Sequence, residues 1–561
     1  MPLPRPARAT LALSLAFASA CGATARVAQP SAPAPPTPAA PLPPIPLKDG
    51  PLAIDVVYPR ENQVITSRDS NFVFGSIGSG RAALTVNGVP ARVYPNGAFI
   101  VFLANPAADS ARYGLVATRG ADTARSVRNI RYPARVAAQP AAPVATPDSV
   151  AQRPNAAPAK PEALATSRAD TIAALNARLD SLRTSLTAGQ PIGLVRLGEP
   201  SVAADTDRVI NGRPIAGGTY KWFFAPGTVV PLVGRDGGFY RVRLDADLDV
   251  YVDSTDASVL PADAAPPRRV MSNMKVRGAP LGEDVVIPIG QRAPYFVEEY
   301  DRAIALTLYG VRGNTDIVNF AAVDSMITTV EWKQETEQRA RVTVNLRAAP
   351  YGYLVLWENG ALVLRLRGRP AVNEHRPLAG LTIAVDPGHP PIGATGPTGL
   401  WEPQATLPIG FRLKQILEER GATVVMTRTT DSAVALGDRP IIARQANVHA
   451  FVSIHLNAYP DGVNPFVAPG TGTYYFRTHS EPLARFVQRG MVSRMGLMDL
   501  GVNYDNLAVV RGTWYPAVLC EGAFIMLPDQ EAALRTPEFQ DRYARGVADG
   551  LEAYFRSLPS R

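Results

Sequence analysis

"LTIAVDPGHPPIGATGPTGLWEPQATL", Leu381 to Leu407, opens with an apolar run, Ile383-Ala384-Val385, that stops at Asp386-Pro387-Gly388-His389. The chain then loosens into glycine and proline until Glu402 starts a stretch with helical spacing. A buried strand ending in a histidine, then a helix beginning with a carboxylate, reads as one step of an α/β sheet. The alternation continues outward. "TVVMTR", "AFVSI", "GTYYF" and "AVLCE" are strand-like, and between or after them come helical stretches at Leu436 to Asn447, from Glu481, and at Glu538 to Phe555. Gly421 follows "LKQILEER", where a helix C-terminus favours glycine. This pattern predicts an open, mostly parallel α/β sheet with helices on both faces over residues 377–558.

The rest of the 561-residue chain has a different texture, and a length of this order implies several domains. Residues 50–133 show period-two strands with Asn87-Gly88 and Asn96-Gly97 as hairpin turns, predicting a β-sandwich of immunoglobulin type acting as a spacer. Residues 191–262, with "GGFYRVRLDADLDVYVDSTDASVLP", resemble a bacterial SH3-like module. Residues 267–370, with "AIALTLYGV", "ARVTVNL" and "LVLRLRG", predict a further β-rich domain that loosely resembles the AMIN type. The fold class is therefore several small all-β domains followed by one α/β domain. Proline- and alanine-rich segments at 21–49 and 134–165 read as tether and linker. Ile172, Leu175, Leu179, Leu182 and Leu186 give residues 166–190 one apolar stripe, a short packing helix.

The first 20 residues have a signal-peptide layout: Arg5 and Arg8, an apolar run from Leu11 to Phe17, then small residues up to Cys21. Ala18-Ser19-Ala20-Cys21 resembles the lipobox of bacterial lipoproteins, so Cys21 is the expected lipidation site and the chain is expected to be exported, periplasmic and anchored to a membrane. Cys520, the one other cysteine, reads as a small buried apolar residue. No later segment reaches the ~20 apolar residues a spanning helix needs. The net charge of +8 and pI near 9.4 suit anionic surroundings. No dense Lys/Arg cluster with interleaved aromatics accompanies them, which argues against nucleic acid.

In an open α/β sheet, function gathers beyond the carboxyl ends of the strands. Those ends carry His389, His455 and Glu521, and Glu402 lies in the loop after the first strand. Two imidazoles and a carboxylate form a known zinc-hydrolase ligand set, which leaves a position for water. A further carboxylate can then move the proton of that water. Glu521 remains for this role. Taken singly, each residue has an ordinary structural reading, such as a hydrogen-bonded histidine or a charge at a helix start. Of the other histidines, His375 and His449 read as surface residues, and His479 as a possible substrate contact.

"VDPGH", "GPTGLWE", "VVMTR", "FVSIHLNA", "GTYYF" and "AVLCEGAF" resemble, in order and spacing, the zinc-dependent N-acetylmuramoyl-L-alanine amidases, over about Leu381 to Phe555. The resemblance implies a peptidoglycan hydrolase that cleaves the amide between N-acetylmuramic acid and L-alanine. It also implies one Zn2+ per catalytic domain held by His389, Glu402 and His455, with Glu521 as the catalytic glutamate. Asn457 is a candidate for orienting substrate. Pro390-Pro391 replace the two glycines usual after "DPGH" in the family, which bears on substrate preference. After "GTYYFRTHS" the chain enters its next helix directly, without the blocking insertion of some family members, which implies a site not inhibited in that way. Peptidoglycan and division or wall-remodelling proteins are the expected partners, with the β-modules as spacers, wall-binding surfaces or docking sites. The competing readings are a zinc peptidase acting on the stem peptide and an inactive wall-binding scaffold.

Overall fold

A computed structural model describes residues 41–107, 111–133, 190–200, 209–321 and 326–559. The expected signal peptide, Cys21, the linker at 134–165 and the helix predicted from residue 166 lie outside the described residues. Of the expected tether, residues 41–49 are described, and they are not free: Leu42 packs against the core of the α/β domain, and Ile45 against an apolar cluster that the α/β domain shares with the first β-sandwich.

Strands between Asp55 and Arg131 form two layers around Val73, Phe99, Tyr113 and Leu115. Val89–Val93 pairs with Ala83–Val86 in one layer and with Ala98–Ala104 in the other, and so links them. Asn87 and Gly88 both have positive φ, as the predicted tight hairpin requires. From Gly193 to Val259, seven antiparallel strands enclose Val195, Phe224, Val242 and Val250. From Met274 to Arg367, a five-stranded and a four-stranded sheet pack across Val276, Ile304, Val342 and Leu364.

The C-terminal domain comprises β1 (Thr382–Pro387), α1 (Glu402–Glu419), β2 (Thr423–Met426), α2 (Asp438–Gln445), β3 (Ala450–Asn457), β4 (Gly470–Tyr475), α3 (Glu481–Met495), β5 (Met498–Tyr504), β6 (Ala517–Phe524), α4 (Pro528–Leu534) and α5 (Pro537–Ser557). Its six strands run in the order β2-β1-β3-β6-β4-β5. β2, β1, β3 and β6 are parallel, and β4 runs antiparallel to β6 with β5 parallel to β4. One face is covered by α1, α3 and α5. Each offers apolar residues at steps of three and four, such as Ile409, Leu413, Ile416 and Leu417 on α1. α3 and α5 cross at glycines: a Cβ on Gly550 would lie 2.4 Å from Val487 Cα, so the close crossing excludes larger residues.

The second face departs from the expectation of helices on both sides. Among the described residues, helical cover there comes from the eight-residue α2 and a short turn at Ala508–Val510. Much of the cover is the preceding β-domain: Leu354, Leu356 and Val363 share a core with Ala384, Phe451, Tyr515, Ala517 and Leu519. A strand buried on both faces reads alike in sequence whether a helix or a sheet covers it. Polar contacts fasten the seam. The buried Arg367 donates to the carbonyls of Val448 (2.7 Å), Trp514 (2.9 Å) and Asn447 (3.1 Å), and the Tyr351 hydroxyl donates to His449 O. The β-domain and the α/β domain should therefore unfold as one. Leu356→Ala should cost about 2–5 kcal/mol and shift one shared transition in chemical denaturation. Two separate transitions, with only the β-domain's displaced, would refute the shared core.

Candidate metal centre

The carboxyl ends of β1, β3 and β6 meet at one rim. His389 follows β1 and Glu402 is the first residue of α1. His455 lies near the end of β3, and Glu521 stands beside it in register on β6. Glu402, only 3% exposed, sits between the two histidines: His389 Nε2 is 3.2 Å from Oε2 and His455 Nδ1 is 3.2 Å from Oε1. Backbone N–H groups of Ala394 and Leu456 each donate to this carboxylate at 3.0 Å. Burial pushes the Glu402 carboxyl up, but hydrogen bonds and charge from both histidines outweigh it and hold it well below the usual range. One ligand atom from each of these three residues lies within 4.8 Å of the others, so the group could hold a metal ion.

Glu521 is placed differently. One of its oxygens, Oε2, is enclosed without a hydrogen-bond partner among the described residues. Burial, and then the Glu402 carboxylate, push its carboxyl well above the ordinary range. Asn457 ends β3 past a break in the β3–β6 register, near Tyr474 of β4, a ring that also feels the Glu521 charge. The Tyr543 hydroxyl of α5 lies 2.8 Å from Cys520 O and 3.1 Å from His455 O, holding β3 and β6 together at that break. Gly388 is required here, because a Cβ would come within 2.4 Å of the His455 ring.

Behind the histidines lies a buried polar layer that sequence reasoning missed. Asp386, fully buried, accepts from Arg439 (2.7 Å), Ser453 Oγ (2.6 Å) and Thr427 Oγ1 (2.5 Å). The buried Arg439 also donates to the carbonyls of Pro387 (3.0 Å), His389 (2.9 Å) and Pro390 (3.3 Å). Arg428 does the same for Pro387 (2.8 Å), Gly388 (3.1 Å) and Pro403 (3.0 Å). On the other side, Glu531 of α4 accepts from the N–H groups of Thr398 and Leu400, bracing the loop that leads to Glu402. In sequence they are an arginine directly after "VVMT" and one within the first turn of a short helix, positions at which arginine ordinarily faces water.

Two other histidines correct the sequence reading. His449 is not a surface residue. Its Nδ1 accepts from Thr382 N (2.9 Å), and burial, then the Arg367 charge, lower its pKa to about 4. His479 lies away from the metal-capable group and is 7% exposed. Its ring is 3.0 Å from Glu299 of the preceding β-domain, so it ties domains together and does not line the centre. His375 is exposed, as read, and Cys520 is buried.

The sequence pattern of the family described as N-acetylmuramoyl-L-alanine amidase matches residues 383–553. The sporulation-specific N-acetylmuramoyl-L-alanine amidase of Bacillus subtilis is 35% identical over 31% of this chain and 68% of its own length. N-acetylmuramoyl-L-alanine amidase LytC of the same organism is 34% identical over 32% of this chain. A crystal structure of an N-acetylmuramoyl-L-alanine amidase from Clostridium difficile 630 shares 32% identity, covering 32% of this chain and 100% of that one, at a TM-score of 0.31. The match spans 36% of LytC and 60% of the probable cell wall amidase LytH of Staphylococcus epidermidis. Through its C-terminal domain, the chain belongs to the N-acetylmuramoyl-L-alanine amidase family.

Proposed function

We propose that the chain hydrolyses the amide between N-acetylmuramic acid and L-alanine in peptidoglycan. The observation that carries this reading is the convergence of His389, Glu402 and His455 beside a second, partly enclosed carboxylate, Glu521. Two neutral nitrogens and one carboxylate oxygen suit zinc, and three protein ligands leave room for water and a substrate oxygen. When bound, the ion polarises the amide carbonyl and acidifies a water molecule.

The remaining work falls to the chain. Glu521, with a raised proton affinity and a free oxygen, accepts the proton of the attacking water and returns it to the departing alanine nitrogen. Glu402 is oriented by the Ala394 and Leu456 N–H groups, which leaves its oxygens directed at the histidines. Arg439 and Arg428 fix the carbonyls of residues 387–390, and so fix His389. Asn457 and Tyr474 border the carboxylate and orient substrate. Export and lipidation at Cys21 complete the proposal, supported by Arg5, Arg8 and the apolar run before the cysteine; among the described residues no helix is long and apolar enough to cross a membrane.

Three experiments test this. The full chain should bind about one zinc and release intact stem peptides from purified walls, with N-acetylmuramic acid left free. Cut stems still attached to sugar would point instead to a peptidase. Glu521→Gln should keep the zinc and lose about 10²–10⁴-fold in turnover; unchanged turnover would remove Glu521 from the chemistry. Arg439→Ala should weaken zinc affinity by about 10–100-fold, measured by chelator competition on protein with an unchanged circular dichroism spectrum. Unchanged affinity would show that the histidine loop holds its shape without the arginine.

A further inference from the structure

Gly472 of β4 stands opposite Glu521, and the antiparallel run of β4 carries Phe476 and Arg477 away from the metal-capable rim, toward the start of β6. There, where the α/β domain meets both β-domains that precede it, lies a cavity of about 680 Å³. Lys221 and Phe223 line it from the seven-stranded domain, Glu299 from the two-sheet domain, and Arg477 and Arg511 from the α/β domain. Three of these side chains are cations, and each lies over aromatic rings. The Arg477 guanidinium is 4.9 Å from the centre of the Phe476 ring and 5.6 Å from that of Phe223. Arg511 is 4.7 Å from Tyr220 and 5.7 Å from Phe223, so two like charges share the Phe223 ring. Lys221 lies 5.1 Å from the Trp222 ring and 5.9 Å from Phe296.

Stacking of this kind is ordinary cement between domains. The charge balance goes further. Arg511 donates to neutral oxygens of Asn506, from Nε to the side chain (2.6 Å) and from Nη2 to the backbone carbonyl (3.0 Å). Arg477 donates from Nε to Arg511 O (3.0 Å), and its two terminal nitrogens meet no acceptor among the described residues. Nor does any of the three cations form an ion pair among the described residues. Glu299 is already committed: its carboxylate accepts from the Tyr353 hydroxyl (2.8 Å) and the His479 N–H (3.1 Å), and it lies 3.0 Å from the His479 ring. Asp438, the other acid of the lining, is exposed and pairs with none of the three. Burial, and then the Arg477 charge, lower the Arg511 pKa. Two half-buried guanidiniums set side by side repel each other unless an anion joins them.

The anion they fit has a definite chemistry. A guanidinium presents paired N–H donors that match two oxygens of a carboxylate or phosphate. The cavity is far larger than a bare inorganic anion and falls in the range of small-molecule sites, and its rings offer apolar surface to the remainder of a ligand. We propose that this cavity binds an organic anion, held at its carboxylate or phosphate by Arg477 and Arg511 and along its apolar body by Tyr220, Phe223 and Phe476, with Lys221 adding charge to the wall. The site is separate from the metal-capable group and does not depend on the hydrolysis proposed there.

The test titrates the full chain with phenylacetate, phenyl phosphate and the uncharged phenylacetamide, followed by ligand-observed NMR. Both anions should bind, and the amide should bind at least about tenfold more weakly. Arg477→Gln should weaken both anions about 10–100-fold with an unchanged circular dichroism spectrum. Arg477→Lys, which keeps the charge without the paired donors, should restore part of the loss. Lys221→Gln, at an exposed position, should weaken them about two- to fivefold and carries the test if Arg477→Gln does not fold. His389→Ala should leave the affinities unchanged. Tighter binding of phenylacetate would name carboxylates, as peptide termini carry, as the natural source; tighter binding of phenyl phosphate would name phosphate esters. Failure of both anions to bind, or equal binding of the amide, would overturn the anion site. So would undiminished binding in folded Arg477→Gln, or a loss confined to His389→Ala, which would seat the probes on the metal-capable group instead.

Discussion

The buried pair of Asp386 and Arg439 is the constraint on which the centre depends. Neither charge reaches solvent, and removing one partner from such a pair costs about 3–5 kcal/mol, because the other is left uncompensated. The pair does more than cancel charge. Asp386 uses its second oxygen on Ser453 of β3, and Arg439 uses its remaining donors on the carbonyls that bracket His389. His389 has φ of +58°, a region that residues with a side chain rarely occupy, and proline follows it. A guanidinium gripping the carbonyls on both sides accounts for the persistence of that conformation. Orientation of the first histidine is thus written into an ion pair one layer deeper.

The centre was legible because its residues stand where patterns change. His389, His455 and Glu521 each end or interrupt an apolar run, and Glu402 begins a helix, so the break in periodicity and the chemistry coincide. Arg428 and Arg439 were not legible for the opposite reason. An arginine at the end of a strand or the start of a short helix normally points to water, and only the folded arrangement reveals that carbonyls surround it. His449 and His479 failed similarly, since the Arg367 charge felt by one and the Glu299 carboxylate bound by the other belong to a domain distant in sequence.

The domain plan shows the same divide. Alternation of strands and helices announced the α/β sheet, and turn residues announced the β-modules. What the patterns could not convey is that the modules share cores. Leu354 and Leu356 look like any strand residues of a two-layer sandwich, yet they cover the sheet that carries the histidines. Asp461 looks like a turn residue after Pro460, yet it is held by side chains almost four hundred positions earlier. Contacts of such sequence separation leave no local periodicity to read.

His455 and Glu521 lie opposite each other on neighbouring parallel strands, so their separation is set by the hydrogen-bond spacing of a sheet, about 4.8 Å between strands. That spacing is common to all sheets and insensitive to what the surrounding loops contain. A slip of one residue would send either side chain to the opposite face, so intermediate placements are not available to drift. Loops such as 390–401 and 458–469 are under no such rule and can vary in length and composition. The architecture therefore separates two kinds of heritable change: the placement of His455 and Glu521 is quantised by the lattice of the backbone, while the loops around them are free to diversify.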